Sequence, residues 1–236
     1  MSKFYAAPRT GLWRVFFGSS DPGTVAVVGA GGKTSLVKTL AAELSAMGRR
    51  VIITTTTKMH PPEDRALLCE SVEALRTMLF QKSPVWAGIY YNEHKIEGLP
   101  VPLPTLSALA DHVLIEADGA KKLPLKMIDA AHEPVIPPET DAVIAVAGLD
   151  GIGKPLSETV HRPALACEAL GCSMEHVITP EDAARLLELC YHPEYVLFNK
   201  ADTDIARSFA ESAAACLPSA RCVIASLRDF GYHETR

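Results

Sequence analysis

Residues Val25 to Ser35 read Val-Ala-Val-Val-Gly-Ala-Gly-Gly-Lys-Thr-Ser, and this stretch constrains the fold more than any other. Four apolar residues bounded by glycines have the length and branching of a buried strand. Gly29, Gly31 and Gly32 permit a sharp turn. Leu36, Val37, Leu40 and Leu44 then recur at helical spacing. A buried strand feeding a helix through a short turn predicts an α/β architecture: a mainly parallel, doubly wound sheet flanked by helices. The turn also carries chemistry. Glycines let backbone N–H groups approach an anion, and the helix that follows adds the positive end of its dipole. Lys33 is spaced to reach terminal phosphates, and Thr34 places a hydroxyl where Mg²⁺ accompanies them.

The expected phosphate loop therefore comprises Gly29, Ala30, Gly31, Gly32, Lys33, Thr34 and Ser35. The pattern G-x-x-x-x-G-K-[ST] would place its first glycine at position 27, where Val27 stands. The shorter G-x-x-G-K-T found here resembles the ATP loop of Mur-type peptide ligases. The strand, loop and helix order around it is the context that a P-loop NTPase-like fold requires.

Composition narrows the setting. A chain of 236 residues with 48% hydrophobic and 22% charged residues buries a full core without crosslinks, so a single domain over 1–236 is expected. A net charge of -5 with no basic run argues against nucleic acid as a partner. No apolar stretch approaches the roughly 20 residues of a membrane span, and no signal-peptide pattern opens the chain, so a cytoplasmic protein away from membranes is expected. The six cysteines form no C-x-x-C pair and read as reduced core residues rather than disulfides or zinc ligands.

In chain order, residues 1 to 23 include Pro8 and a short amphipathic helix around Trp13 to Phe17 that packs beside the first strand. The helix after the loop stops near Met47-Gly48. A second strand, Val51-Ile52-Ile53, delivers Thr54-Thr55-Thr56-Thr57-Lys58 to the same crevice in a parallel sheet, which makes Thr56 a candidate Mg²⁺ ligand and Lys58 a candidate phosphate cation. Helical spacing covers Ser71 to Phe80. Val85 to Tyr91 reads as a strand, Asn92 to Lys95 as a turn and Lys95 to Leu99 as its return, so 82–104 is expected to be a β-hairpin or lid insertion, with a short helix over Thr105 to Asp111.

The strand His112-Val113-Leu114-Ile115 runs into Glu116-Ala117-Asp118. Carboxylates at the end of a buried strand hold Mg²⁺ or orient an attacking nucleophile in phosphoryl transfer. Alternation puts Glu116 and Asp118 on one side, so they pair: Asp118 with Thr34 for the metal, Glu116 for the water, and Lys33 completing the catalytic group. Lys121, Lys122 and Lys126 are candidates to meet an anionic ligand. His132-Glu133 has the residue types for acid-base work, although neighbours on an extended chain point opposite ways. Gly148 to Pro155 follows a strand but opens no helix at Lys154, and reads as a substrate or regulatory loop with Asp150 and Lys154 as its polar members. Thr179-Pro180-Glu181-Asp182 is a helix start. After the strand Tyr195 to Phe198, Asn199-Lys200-Ala201-Asp202 matches N-K-x-D, the guanine-reading pattern of GTPases. Its aspartate accepts two hydrogen bonds from guanine, its lysine stem lies along the ring and its asparagine supports the loop. Ser226, after the last strand, matches the place of a second base contact.

Gly-Ala-Gly-Gly-Lys-Thr, Thr-Thr-Thr-Thr-Lys-Met and Glu-Ala-Asp-Gly, together with His132 to Pro137, Gly148 to Pro155 and Asn199 to Asp202, resemble the YqeC family across most of the chain after residue 24. That family is described as a selenium-dependent hydroxylase accessory protein, associated with maturation of molybdenum hydroxylases. The resemblance implies this setting, with a molybdenum hydroxylase or its cofactor-handling proteins as partners, and brings no established reaction. The residues themselves predict a Mg²⁺-dependent nucleotide hydrolase with GTP favoured over ATP. A nucleotide-sensing adaptor without appreciable turnover, and a kinase or ligase with a Mur-like loop, remain alternatives.

Overall fold

Long runs of β-branched and aliphatic residues with no polar alternation can be satisfied only in a sheet covered on both faces. The computed structural model, which describes residues 5–6 and 11–228, contains such a sheet. Pro8 and the two chain ends lie outside the described residues. In chain order the strands are β1 (Tyr5–Ala6), β2 (Thr24–Gly29), β3 (Val51–Thr55), β4 (Lys58–Met59), β5 (Leu68–Cys69), β6 (Val85–Ala87), β7 (Ile89–Asn92), β8 (Lys95–Glu97), β9 (His112–Glu116), β10 (Leu125–Lys126), β11 (Ala142–Gly148), β12 (Val160–His161), β13 (Tyr195–Asn199) and β14 (Arg221–Ala225). The helices are α1 (Leu12–Phe17), α2 (Lys33–Ala46), α3 (Val72–Leu79), α4 (Leu103–Ser107), α5 (Leu156–Thr159), α6 (Pro163–Leu170), α7 (Pro180–Tyr191) and α8 (Asp204–Ala215).

Nine strands form one sheet in the order β1-β14-β13-β11-β2-β9-β3-β6-β5, and every pairing in it is parallel. Successive residues of β2 divide between its faces. Val25 and Val27 pack with α1 and α2 through Leu12, Phe16, Leu36 and Leu40, whereas Ala26 and Val28 pack with α3, α4, α7 and α8. The chain proceeds from β2 to β3 and β9 on one side and to β11, β13 and β14 on the other. The winding therefore reverses at β2, and the carboxyl end of that strand is the crevice where α/β folds bind ligands.

Local signals in the sequence account for most boundaries. Helix α2 ends with Met47 as its cap and Gly48 at φ 80, and α7 opens on a capping box between Thr179 and Asp182. Helix α4 starts earlier than the proline spacing predicts, because Pro102 serves as its cap and Pro104 sits in its first turn, where a missing N–H costs nothing. The strand expected over Val85 to Tyr91 divides at Gly88. Its first half joins the main sheet beside β3, and its second half leaves as β7, which pairs with β8 in a small antiparallel sheet whose other edge is β4. A side chain at Gly88 would lie 2.7 Å from the Glu97 carbonyl oxygen, so only glycine lets the two strands cross this closely.

Candidate functional site

Backbone geometry at the end of β2 depends on three glycines. Gly29, Gly31 and Gly32 have φ of 92°, 80° and 137°. A Cβ at Gly29 would stand 2.2 Å from the Val146 carbonyl oxygen, and one at Gly31 would stand 2.4 Å from the Gly148 nitrogen, so the loop lies flat against the end of β11. Asn199, at the end of β13, fastens it from the side: Nδ2 donates to the Gly31 carbonyl oxygen at 2.8 Å while Oδ1 accepts from the Leu227 N–H at 3.2 Å. Helix α2 begins directly after Gly32 with no side chain capping it. Its first N–H groups have no intrahelical acceptor and face the loop's concave side, the arrangement that favours an anion.

Beneath the loop lies a buried ion network. Asp118 is fully buried. Its Oδ2 accepts from the Gly29 N–H at 2.9 Å and the Tyr191 hydroxyl at 2.8 Å, with Lys126 Nζ 3.0 Å away. Its Oδ1 accepts no aligned hydrogen bond and has the Lys33 ammonium 3.2 Å away as an ion pair. Lys33 also donates to the Gly29 carbonyl oxygen at 2.7 Å. Lys126 bridges onward to Glu133, which Arg162 holds from its other side at 2.8 Å. Burial alone would raise the Glu133 pKa, but hydrogen bonds from Arg162 and Lys126 outweigh it and hold the carboxyl at about 2. Burial, reinforced by the Asp118 charge, pushes the Tyr191 phenol up, so it stays a hydrogen-bond donor.

The two acids at the end of β9 thus occupy different depths. Glu116 lines a cavity of about 840 Å³ together with Gly31, Gly32, Lys33, Thr34 and Ser35, and its Oε2 accepts from the Thr34 hydroxyl at 2.6 Å. Burial pushes its pKa up, against the opposing pull of Lys33 and Thr34. Asp118 does not line the cavity and works from below on Lys33 and the Gly29 N–H. Thr56 lines a neighbouring hollow of about 660 Å³, and its hydroxyl donates to the Val135 carbonyl oxygen at 2.6 Å. Thr34 and Glu116 are accordingly the hydroxyl and carboxylate brought together beside the loop. Two hard oxygen donors suit Mg²⁺, which takes one or two protein ligands and completes its shell from phosphates and water. Among the described residues no group of three or more His, Cys, Asp or Glu could hold a metal alone.

Cations dominate the rest of the cavity wall. Lys58, Lys95, Lys121, Lys122, Arg162 and Lys200 join Lys33 there, against the carboxylates of Glu116 and Glu133. Four of them, Lys121, Lys122, Arg162 and Lys200, have positive φ, a conformation that side chains with a Cβ rarely adopt. His60 and His161 also line it; burial and then the nearby cations push both pKa values down, so their rings are neutral near pH 7. At the expected base-reading end, Lys200 pairs with Asp150 at 2.7 Å, and Asp202 has Arg228 at 3.9 Å. Ser226 is buried, and its hydroxyl has no hydrogen-bond partner among the described residues.

Sequence reasoning did not foresee Tyr191, Lys126 and Arg162 as one network with Asp118 and Glu133. Lys126 stood out as a cation for a ligand, and it serves instead as a partner of two acids. His132 is exposed and pairs with Asp129, away from that network. Residues 148–155 act partly as a brace: Gly148 donates to the Pro124 carbonyl oxygen at 2.8 Å and packs against Gly31. Among the described residues no helix is long and apolar enough to cross a membrane, and all six cysteines are free.

Residues 25–164 match the family model described as YqeC protein. A protein of Escherichia coli (strain K12), described as "Uncharacterized protein YqeC", is 37% identical to this chain over 185 residues, which cover 73% of the chain and 69% of the relative.

Proposed function

We infer that this chain, which belongs to the YqeC family, binds a nucleoside triphosphate with Mg²⁺ and hydrolyses it, GTP in preference to ATP. The observation that carries this reading is the uncapped start of α2 meeting a three-glycine turn that no other residue could form, with Lys33 and the Thr34–Glu116 pair at its rim. The family resemblance supplies the setting, an accessory role in maturing a selenium-dependent molybdenum hydroxylase.

The N–H groups from Gly31 to Ser35 and the α2 dipole bind the β- and γ-phosphates. Lys33 exchanges its contacts with Asp118 and Gly29 for phosphate oxygens. Asp118, retaining Lys126, Tyr191 and the Gly29 N–H, keeps the loop in shape during that exchange. Thr34 and Glu116 would hold Mg²⁺, which when bound would supply charge neutralisation to the phosphates. Asp118 thereby becomes a positioning residue rather than the metal ligand, and Thr56 supports the Val135 segment. Asn199 fixes the loop while Asp202 reads the base. The other carboxylate in the cavity, Glu133, is fixed by Arg162 and Lys126, so catalysis rests on electrostatic positioning and is slow without a partner.

Single-turnover hydrolysis of γ-labelled GTP and ATP tests this. Phosphate release should require Mg²⁺, run faster with GTP and fall about 100-fold in Glu116→Ala, the scale of losing one electrostatic contact in the transition state. Bound nucleotide whose turnover ignores Glu116→Ala would identify an adaptor instead.

A further inference from the structure

The cavity carries more positive charge than one nucleotide neutralises. Its seven lining cations face the carboxylates of Glu116 and Glu133, with Asp118 and Asp150 pairing Lys33 and Lys200 from outside, which leaves three more cations than anions. A triphosphate carrying Mg²⁺ brings two negative charges. One positive charge remains beyond those two, and the unpaired cations come from segments outside the phosphate loop. Lys95, Lys121 and Lys122 have no ion pair with any acid among the described residues, and Lys58 rests on the Tyr91 ring at 3.3 Å. Lys95 and Lys122 come from separate segments, the β7–β8 hairpin and the turn after β9, yet both line the cavity with His60, whose Nδ1 lies 3.1 Å from the His94 carbonyl oxygen next to Lys95. Lys122 reaches that position at φ 64, directly after Lys121 at φ 46. Two consecutive left-handed lysines are costly and persist where the surroundings hold them.

The threonine-lined hollow adjoins the cavity. The two spaces share Lys58, Gly119 and Glu133, and the β8 strand runs from Lys95 in one to Glu97 in the other. The cavity of about 840 Å³ and the hollow of about 660 Å³ each lie within the roughly 300–1,000 Å³ of a small-molecule site, so each has room for a ligand of its own.

We propose that a second, anionic small molecule binds beside the terminal phosphate of the nucleotide. Lys95 and Lys122 hold its phosphate or carboxylate group, and its body lies in the hollow between Thr55–Lys58 and Gly98. The proposal rests on nucleotide binding at the loop and adds a second anion site beside it.

Equilibrium dialysis with labelled inorganic phosphate and, separately, labelled succinate tests this on protein saturated with Mg²⁺ and a non-hydrolysable GTP or ATP analogue, so that the γ-phosphate position is filled. About one labelled anion should bind per loaded chain, and the tighter of the two identifies the group. In Lys95→Gln/Lys122→Gln that affinity should fall at least about tenfold, the scale of losing charge-assisted contacts, while analogue affinity changes less than threefold. A label that binds only empty protein and is displaced by the analogue would overturn the second site and leave nucleotide binding intact. An affinity unchanged in the double variant would remove these lysines from the site and overturn the proposal. Failure of both analogues to bind would overturn the nucleotide reading, and this inference with it.

Discussion

The two ends of the site are built differently. At the phosphate end each group is held by several others: the glycine turn by β11 and Asn199, Lys33 by Gly29 and Asp118, Asp118 by Lys126 and Tyr191, and Thr34 by Glu116. At the base end Lys200 pairs with a half-exposed Asp150, Asp202 has one distant cation, and the Ser226 hydroxyl has no partner among the described residues. The phosphate end is therefore pre-organised, whereas the base end is free to rearrange around its ligand. On the proposed nucleotide reading, preorganisation would put affinity in the phosphates and leave base choice as the smaller term.

The comparison breaks most readily at Asp118. Asp118→Asn keeps the shape of the side chain but leaves Lys33 and Lys126 short of a buried anion, so stability should fall by about 3 kcal/mol or more. Urea unfolding of the ligand-free protein reads this directly, and a loss below about 1 kcal/mol would mean the network does not hold the loop.

Glu133 gives the next effect. Its folded pKa of about 2 lies below the ordinary carboxyl value of 4.5, so its contribution to stability is complete above pH 4.5 and disappears as pH falls toward 2. Glu133→Gln should lose about 2–3 kcal/mol at pH 7. The gap from the unmodified protein should narrow as the pH of the unfolding experiment is lowered from 5 to 3. A gap independent of pH would assign the loss to packing.

The smallest effect belongs to the base end. Asp202→Asn should reduce the preference for GTP over ATP by about five- to tenfold, with little change in affinity for a triphosphate as such. Competition between GTP and ATP in the variant measures it, and an unchanged preference would remove Asp202 from base reading.

The same contrast explains what the sequence disclosed. The glycine turn between strand and helix was legible because strand, glycines, Lys33 and Thr34 are contiguous, and backbone geometry follows from residue type over so short a span. The parallel sheet was legible from unbroken apolar runs. The depths of Glu116 and Asp118 were not, because alternation along a strand fixes the side a residue faces and not how far below the surface it ends. The partners of Asp118 come from Lys126, on the short strand β10 after an irregular passage, and from Tyr191 on a helix 73 residues away, and no local pattern joins them. The break at Gly88 depends on the carbonyl of Glu97, which lies on a strand that pairs with the other half of the same run.

Calorimetric titration of Mg²⁺·GTP and Mg²⁺·ATP into the unmodified protein and into Lys33→Ala is the most direct test that the loop binds triphosphates. One nucleotide should bind per chain, with affinity dependent on Mg²⁺ and reduced about 100-fold in Lys33→Ala, the equivalent of about 2.7 kcal/mol. Equal affinity in the two proteins, or no binding by the unmodified chain, would contradict it.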